Sequence, residues 1–337
     1  MKIATIGTGF IVDTFLQAVK ESEGISCVAM YSRKKEHAQP LAEKYEIDTI
    51  YTNLEEMLED DNINFVYVAS PNSLHFSYTL TAMKAGKHVI CEKPFTSTVK
   101  ELDILLDYAK THGRYLFEAI TTAHMPNYHS IQDALPSIGP IRMIQCNFSQ
   151  YSSRYDRFLA GETPNVFNPA FSGGALSDIN IYNLHFVIGL FGKPEAVHYY
   201  PNRHANGIDT SGVAILSYPG YQAICVGCKD TKSTNMAQIQ GEKGYIMVNT
   251  ETSRCGDVIT YIGKNSQKIS EVQNENALYY ELQDFRDIFK QEDTLRMEAL
   301  WEESHQVMEV YEACLLYTSF HIDTTLHGLR HVHKKKV

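Results

Sequence analysis

The nine residues Gly86-Lys-His-Val-Ile-Cys-Glu-Lys-Pro94 carry the plainest chemistry in the chain. An apolar run, Val89 to Cys91, ends abruptly in an acid, a base and a proline, as in a buried strand that delivers charged groups at its carboxyl end. Ligands of open α/β sheets bind outside the carboxyl ends of the strands. A lysine held there, partly dry and beside a carboxylate, is a candidate proton carrier. Lys93 is therefore the first candidate catalytic residue, with Glu92 in a structural or cofactor-side role. A second constellation opens the chain, where Ile3-Ala-Thr-Ile6 runs into Gly7-Thr-Gly9-Phe-Ile-Val12. Two glycines after a first strand let the backbone turn tightly and approach a pyrophosphate. The helix that follows offers free N–H groups and a positive dipole end. Gly7, Gly9, Phe10 and Ile11 are thus candidate cofactor-binding residues, although Val12 replaces the third glycine of the dinucleotide fingerprint.

Which dinucleotide is expected follows from the second strand, which ends Ala29-Met-Tyr-Ser-Arg-Lys-Lys35. An NAD site usually places an acid there to take the ribose hydroxyls. Here a hydroxyl and cations stand in its place, and an arginine can pair with a 2′-phosphate. Ser32 and Arg33 therefore favour NADP(H), with NAD(H) as the alternative. The next strand ends Val68-Ala-Ser-Pro-Asn-Ser-Leu-His75. Ser70 and Asn72 can hydrogen-bond cofactor hydroxyls or amides, Asn72 can also cap the following helix, and His75 sits in its first turn. Cys225 and Cys228 form the one C-x-x-C, in a β-looking run with no second pair nearby, so they are read as ordinary strand residues and no metal is expected.

These residues need elements to hold them. The first 120 residues alternate strand and helix, with short apolar strands expected at 2–6, 25–31, 64–69, 87–91 and 114–118. Asn53 with Glu56 and Thr98 with Glu101 have capping-box spacing, and Gly86 and Gly113 suit left-handed helix ends. The fold class is α/β: an N-terminal, doubly wound parallel sheet of Rossmann type over 1–120 for NAD(P). An α+β domain over 121–337 follows, with a large, mostly antiparallel open sheet for substrate binding and oligomerisation. In that second part a helix is expected near 126–137, a strand at 141–150, a long loop at 151–175 and a helix at 176–191. Six strand-like runs between 195 and 262 come next, and helices near 277–291 and 296–317 close the chain. A chain of 337 residues with 44% apolar content can bury two cores. A net charge of −10 argues against a nucleic-acid partner, which would need a basic face. The basic run Lys334 to Lys336 reads as a solvated tail. No apolar run approaches the ~20 residues of a membrane span, the N-terminus lacks the layout of a signal peptide, and seven scattered cysteines suit a reducing, cytoplasmic compartment.

Taken together, Gly7-Thr-Gly9, Ser70-Pro-Asn72 with His75, Ala85-Gly-Lys-His-Val through Glu92-Lys-Pro94, and Gly173-Gly-Ala-Leu-Ser-Asp178 with Tyr182 resemble one family. It is the glucose-fructose oxidoreductase, inositol dehydrogenase and rhizopine-catabolism dehydrogenase group. The resemblance spans essentially the whole chain and is most specific at the Glu-Lys-Pro segment. It implies an NAD(P)-dependent oxidoreductase acting on a carbinol or carbonyl of a sugar, polyol or diol. It also implies an active-site role for Lys93, a cis Lys93-Pro94 bond, catalytic roles for Asp178 and Tyr182, and a homodimer formed through the C-terminal sheet. Asp178 and Tyr182, four apart on an expected helix, would share one face. Many members carry histidine at Tyr182. Tyrosine there, with Asn165-Val-Phe-Asn-Pro169, resembles the dimeric dihydrodiol dehydrogenase and xylose dehydrogenase sub-group. The glycine often found two residues after the aspartate is Asn180 here. Lys93 and Tyr182 would share the reacting oxygen, their pKa values lowered from near 10 by burial of the lysine and by a cation beside the tyrosine. His185, one turn beyond Asp178, reads as core, and Arg154 and Arg157 read as solvated loop charges. Two other activities fit the same fold: a glycoside hydrolase that uses bound NAD for transient oxidation, and a catalytically silent NAD(P)-binding regulator.

Overall fold

The computed structural model of the chain describes residues 1–320, so the basic run at Lys334–Lys336 lies outside the described residues. The first part alternates strand and helix: β1 (Lys2–Ile6), α1 (Phe10–Glu21), β2 (Ser26–Tyr31), α2 (Lys35–Lys44), β3 (Thr49–Tyr51), α3 (Leu54–Glu59), β4 (Phe65–Val68), α4 (His75–Lys84), β5 (His88–Glu92), α5 (Val99–His112) and β6 (Leu116–Ala119). The strands form a parallel sheet in the order β3-β2-β1-β4-β5-β6. The order reverses between β1 and β4, and the crevice at that switch point is where doubly wound sheets bind ligands. β4 and β6 are buried at every residue, which explains the unbroken apolar run of β4; β6 buries one acid, Glu118, among its apolar residues. Burying each Val, Leu or Phe side chain among them stabilises by ~1.5–3 kcal/mol. Asn53 caps α3, and Thr98 caps α5 while Glu101 accepts from the Ser97 N–H, as the spacing predicts. Gly113 ends α5 in the left-handed region, at φ 61°.

The second part runs α6 (Pro126–Ala134), β7 (Ile141–Ser149), α7 (Tyr155–Leu159), α8 (Ile181–Phe191), β8 (Ala196–Arg203), β9 (Asp209–Tyr218), β10 (Tyr221–Cys228), β11 (Met236–Gly241), β12 (Gly244–Val248), β13 (Val258–Ile262), β14 (Asn265–Lys268), α9 (Leu278–Gln291) and α10 (Thr294–Phe320). Its eight strands form one sheet, β14-β13-β12-β11-β7-β10-β9-β8, antiparallel except where β7 and β10 run parallel. β3 and β14 were not among the expected strands: each is a short edge piece, and β14 is exposed at all four residues. The stretch 151–175 differs from the expected loop. It contains α7 and several single turns, and its aromatic residues Phe158 and Phe167 pack with Ile208 into a small core of their own. Residues 1–120 and 278–320 are not separate in packing, because α9 lies on α1 and α10 reaches β6, where Trp301 donates to the Leu116 carbonyl.

Candidate active site

One cavity of about 960 Å³ runs from the ends of β1, β2, β4 and β5 to the inner end of β7 and the start of α8. That volume is at the top of the ~300–1,000 Å³ range of small-molecule sites. All the candidate residues line it: Gly7, Gly9, Phe10, Ile11, Ser32, Arg33, Ser70, Asn72, His75, Glu92, Lys93, Asp178 and Tyr182.

At one end the walls suit a dinucleotide. Gly7 has φ +127°, and a Cβ there would stand 2.5 Å from the Ala69 carbonyl oxygen, so only glycine lets β1 turn this close to β4. A Cβ on Gly9 would meet nothing within 4 Å, so the backbone is open to the cavity. Unlike α3 and α5, α1 has no side-chain cap. The first intrahelical acceptor is the Gly9 carbonyl, bonded to the Val12 and Asp13 N–H groups, so those of Phe10 and Ile11 precede it at the cavity wall. Uncommitted N–H groups on the positive end of a twelve-residue helix make a site for a pyrophosphate. Phe10, 79% exposed, overhangs this end. Beyond it lie Ser32, Arg33, Lys34 and His37, and among the described residues neither Arg33 nor Lys34 has an ion-pair partner. Tyr31, Leu74 and Tyr78 add an apolar wall.

Two candidates are placed differently from expectation. Asn72 opens a single 3-10 turn and caps nothing; its side-chain amide donates to the Ser172 carbonyl, tying the switch-point loop to the segment before α8. His75 is fully buried, and its ring nitrogens contact the Pro94 and Ser70 carbonyl oxygens at 2.9 and 3.0 Å. Both are acceptors, so the neutral ring, favoured by a burial that lowers its pKa, donates to one of them. His75 therefore braces the two loops instead of offering a free nitrogen to a ligand. Glu92 is buried at the end of β5, where Oε1 accepts from the Tyr67 hydroxyl at 2.5 Å. Burial pushes its carboxyl up to about 7, against the pull of Tyr67 and Lys93.

At the other end three groups converge. Lys93 follows β5 through a cis bond to Pro94. Glu118 of β6 fixes the exit of this turn by accepting from the Phe95 N–H at 3.0 Å. The Lys93 side chain is 11% exposed; Nζ donates to the Asp178 carbonyl at 2.6 Å and to Asp178 Oδ1 at 3.2 Å. It lies 5.0 Å from the centre of the Tyr182 ring. Asp178 sits in a π-helical turn, Leu176–Asn180, that widens the entry to α8. Such single widened turns occur often at functional sites. Asp178 and Tyr182 both face the cavity, as their spacing predicts.

The electrostatics reverse two expectations. Burial pushes the Lys93 ammonium down, but Tyr182, Asp178 and Glu92 around it outweigh that and leave its pKa raised. Burial raises Tyr182, and the Lys93 cation does not bring it back down. Asp178 is held well below the carboxylate range: burial alone would raise it, but Lys93 and Lys229 flank it. At neutral pH the site thus holds an ammonium, a phenol and a carboxylate.

Lys229 was not singled out from the sequence. It follows β10, is 4% exposed, and its ammonium pairs with Asp178 Oδ2. The available signal was its place at the carboxyl end of a strand in the second sheet. The two cysteines just before it lie three apart on β10 and so point to opposite faces. Asn180 settles the missing glycine. Its side chain is buried and donates to the Cys225 carbonyl, and a Cβ on Gly227 of β10 would lie 2.6 Å from the Asn180 Cβ. The close approach of α8 to the sheet survives, with the glycine on the facing strand. His185 is core, its ring nitrogens 3.6 Å from Glu118 and from Glu303. Arg157 pairs with Glu162, whereas Arg154 reaches the cavity wall beside Gln150 and Asn165.

Comparison with known proteins follows the same outline. Residues 1–120 match an oxidoreductase family with an NAD-binding Rossmann fold, and residues 136–247 match the GFO/IDH/MocA C-terminal domain. The uncharacterized oxidoreductase YgjR of Escherichia coli is 39% identical over 286 residues, covering 85% of this chain and 87% of its own. The scyllo-inositol 2-dehydrogenase (NADP(+)) IolU of Bacillus subtilis is 35% identical over 312 residues, covering 93% and 95%. The trans-1,2-dihydrobenzene-1,2-diol dehydrogenase of Macaca fuscata fuscata is 30% identical over 247 residues, covering 71% of each chain.

Proposed function

We propose that this chain, which belongs to the GFO/IDH/MocA oxidoreductase family, moves a hydride between NADP(H) and a carbinol or carbonyl carbon of a small polyhydroxylated substrate, with Lys93 and Tyr182 at the reacting oxygen. It is an NAD(P)-dependent dehydrogenase or reductase acting on CH–OH groups. The observation that carries the finer reading is the convergence of Lys93, Asp178 and Tyr182 in the cavity whose far end holds the uncapped α1 terminus and Arg33.

The residues that would hold the cofactor are Gly7 to Ile11 at the pyrophosphate, Ser32 and Arg33 at a 2′-phosphate, and Ser70 with Asn72 towards the substrate end. Bound there, the nicotinamide supplies the hydride chemistry. Lys93 and Tyr182 manage the proton. Both are raised and therefore protonated at neutral pH, which suits delivery to the alkoxide that develops when a carbonyl is reduced. Oxidation requires one of them to be deprotonated, so it should accelerate towards alkaline pH. Asp178 orients the lysine through both its carbonyl and its carboxylate.

A cyclitol or another vicinal diol is the substrate class favoured, supported by the inositol and dihydrodiol activities named for the relatives. Arg154, Gln150 and Asn165 are placed to read its hydroxyls. Pairing of two chains through the outer face of the eight-stranded sheet completes the reading; seven free cysteines accord with a reducing compartment.

The test is an assay of inositols, aldoses and trans-diols with NADP and NAD, followed at the nicotinamide absorbance, on the wild type and on Lys93→Met and Tyr182→Phe. Each variant should lose roughly tenfold to a thousandfold in kcat, the scale of a positioned acid or base, with cofactor Kd unchanged. Wild-type turnover in both variants would end the assignment of roles.

A further inference from the structure

Asp178 is a carboxylate shared by two lysines of unequal standing. Lys93 holds Oδ1 and lines the cavity, whereas Lys229 holds Oδ2, is 95% withdrawn from solvent at its side chain and is not part of the cavity wall. The Lys229 backbone is committed too: its N–H donates to the Thr210 carbonyl, and its own carbonyl accepts from the Ser152 N–H in the substrate-side segment. The main chain of Lys229 is therefore fixed from two sides, and its ammonium meets Asp178 from outside the cavity wall.

Lys93 must pass through a neutral state if it is to take a proton from an alcohol. If it were the only partner of Asp178, losing its charge would leave a carboxylate that is only 34% exposed with no cation on it, and an uncompensated charge so far withdrawn from water is unfavourable. A second cation on the other oxygen removes that obstacle. We propose that Lys229 is a positioning residue that keeps Asp178 compensated while Lys93 gives up and regains its proton. The proposal rests on the role given to Lys93 above.

Other charged and titratable groups face the pair. Glu92 comes from Lys93's own strand, Tyr182 from α8, His75 from α4 and Tyr311 from α10. Asp230 follows Lys229 and is engaged by the Thr210 and Ser211 hydroxyls. Among the described residues the ion pairs of Asp178 are with Lys93 at Oδ1 and Lys229 at Oδ2. The sign of the effect does not depend on whether Lys93 or Tyr182 takes the proton: removing a nearby cation raises the pKa of either.

Two readouts test this. In the first, the pH profile of kcat for alcohol oxidation is compared between wild type, Lys229→Met and Lys229→Arg. In the second, which needs no turnover, the cofactor-free proteins are trace-labelled with acetic anhydride at a series of pH values, and occupancy at Lys93 is read by peptide mass. Lys229→Met should move the rising limb of both curves up by about one pH unit, which is about tenfold less kcat and tenfold less Lys93 labelling at a fixed pH. Lys229→Arg should restore both, and cofactor Kd should stay at the wild-type value. Should Lys229→Met not fold, Lys229→Gln keeps a hydrogen bond to Asp178 without the charge and should show the same displacement. Labelling curves of a neutral variant that superpose on wild type overturn the proposal, as does a uniform loss of kcat with no displacement. Failure of the reading of Lys93 is a separate result: Lys93→Met would keep wild-type turnover, while the labelling curves still report on Lys229.

Discussion

At Arg33 an exposed guanidinium stands at the end of β2, where many NAD sites place an acid, and it has no ion-pair partner among the described residues. A partner-free cation beyond the α1 end of the cavity is what a 2′-phosphate would engage, and a charge-assisted hydrogen bond of this kind contributes about 1.5–3 kcal/mol. Arg33→Ala is therefore expected to weaken NADPH binding by roughly ten- to a hundredfold and to leave NADH binding nearly unchanged. Titration of both cofactors by fluorescence would check it, and wild-type protein that binds NADH tenfold more tightly than NADPH would sink the preference. Lys93 was legible because its chemistry is local: an acid, a base and a proline at the end of an apolar run. Lys229 was not, because its meaning is a contact across 51 residues of chain with one oxygen of Asp178.

The element that organises the site is α8 with its widened first turn. Asn180 and Asn183 bind the Cys225 and Val226 carbonyls and so lock the helix to β10. His185 ties it to β6 and α10 by standing between Glu118 and Glu303. Burial works against a charge on that imidazole, but the two carboxylates prevail and push it up to about 9. A histidine raised in the folded state contributes stability that is fully present below its unfolded value near 6.5 and is lost as pH rises through 9. Glu92 and Asp209, raised to about 7 and about 6, act with the same sign at lower pH, so the informative quantity is a difference between proteins. Wild type should lose roughly 1–3 kcal/mol relative to His185→Gln between pH 6.5 and 9.5, followed by denaturant unfolding at each pH. Parallel curves for the two proteins would refute the ionic tie.

For the molecule as a whole, the eight-stranded sheet is the exposed problem. Its buried face carries Ile144, Cys146, Ala214, Leu216, Ala223, Ile239 and Ile246 against the helices. The alternate residues, Val213, Ile215, Ile224, Val226, Met236 and Met247 among them, face outward and are only half-buried. Ile224 lies opposite Ile215 and Val226 opposite Val213, so the outward residues of β9 and β10 form an apolar strip, bordered on β7 by Gln145 and Asn147. An apolar strip on an outward sheet face is a candidate interaction surface. With two copies related by a twofold axis the same patch meets itself, every contact occurs twice, and a charge there is buried twice. Wild type is expected to give a dimer by sedimentation or light scattering, and Ile224→Asp to yield monomers. A monomeric wild type at micromolar concentration would remove the reason for the prediction.

The sequence by itself determined the two kinds of sheet, the dinucleotide turn at Gly7–Gly9, the lysine at the end of β5 and the pairing of Asp178 with Tyr182 on one face. The first three rest on short-range regularities: a period of 2 or 3.6, a glycine where the backbone must turn, a charge at the end of an apolar run. Asp178 and Tyr182 were singled out by the resemblance of their segment to the family, and their spacing of four then put them on one face. Only the tertiary structure decided how those groups are charged and held. Burial alone argued that Lys93 would lose its proton readily; Asp178, Tyr182 and Glu92, brought in from other elements, raise it instead. The close approach of α8 to the sheet moved from a glycine after Asp178 to Gly227 on the facing strand. His75 became a brace, and Lys229 entered the site. Fields and contacts between distant segments depend on distances of a few ångströms, and sequence spacing does not encode those distances.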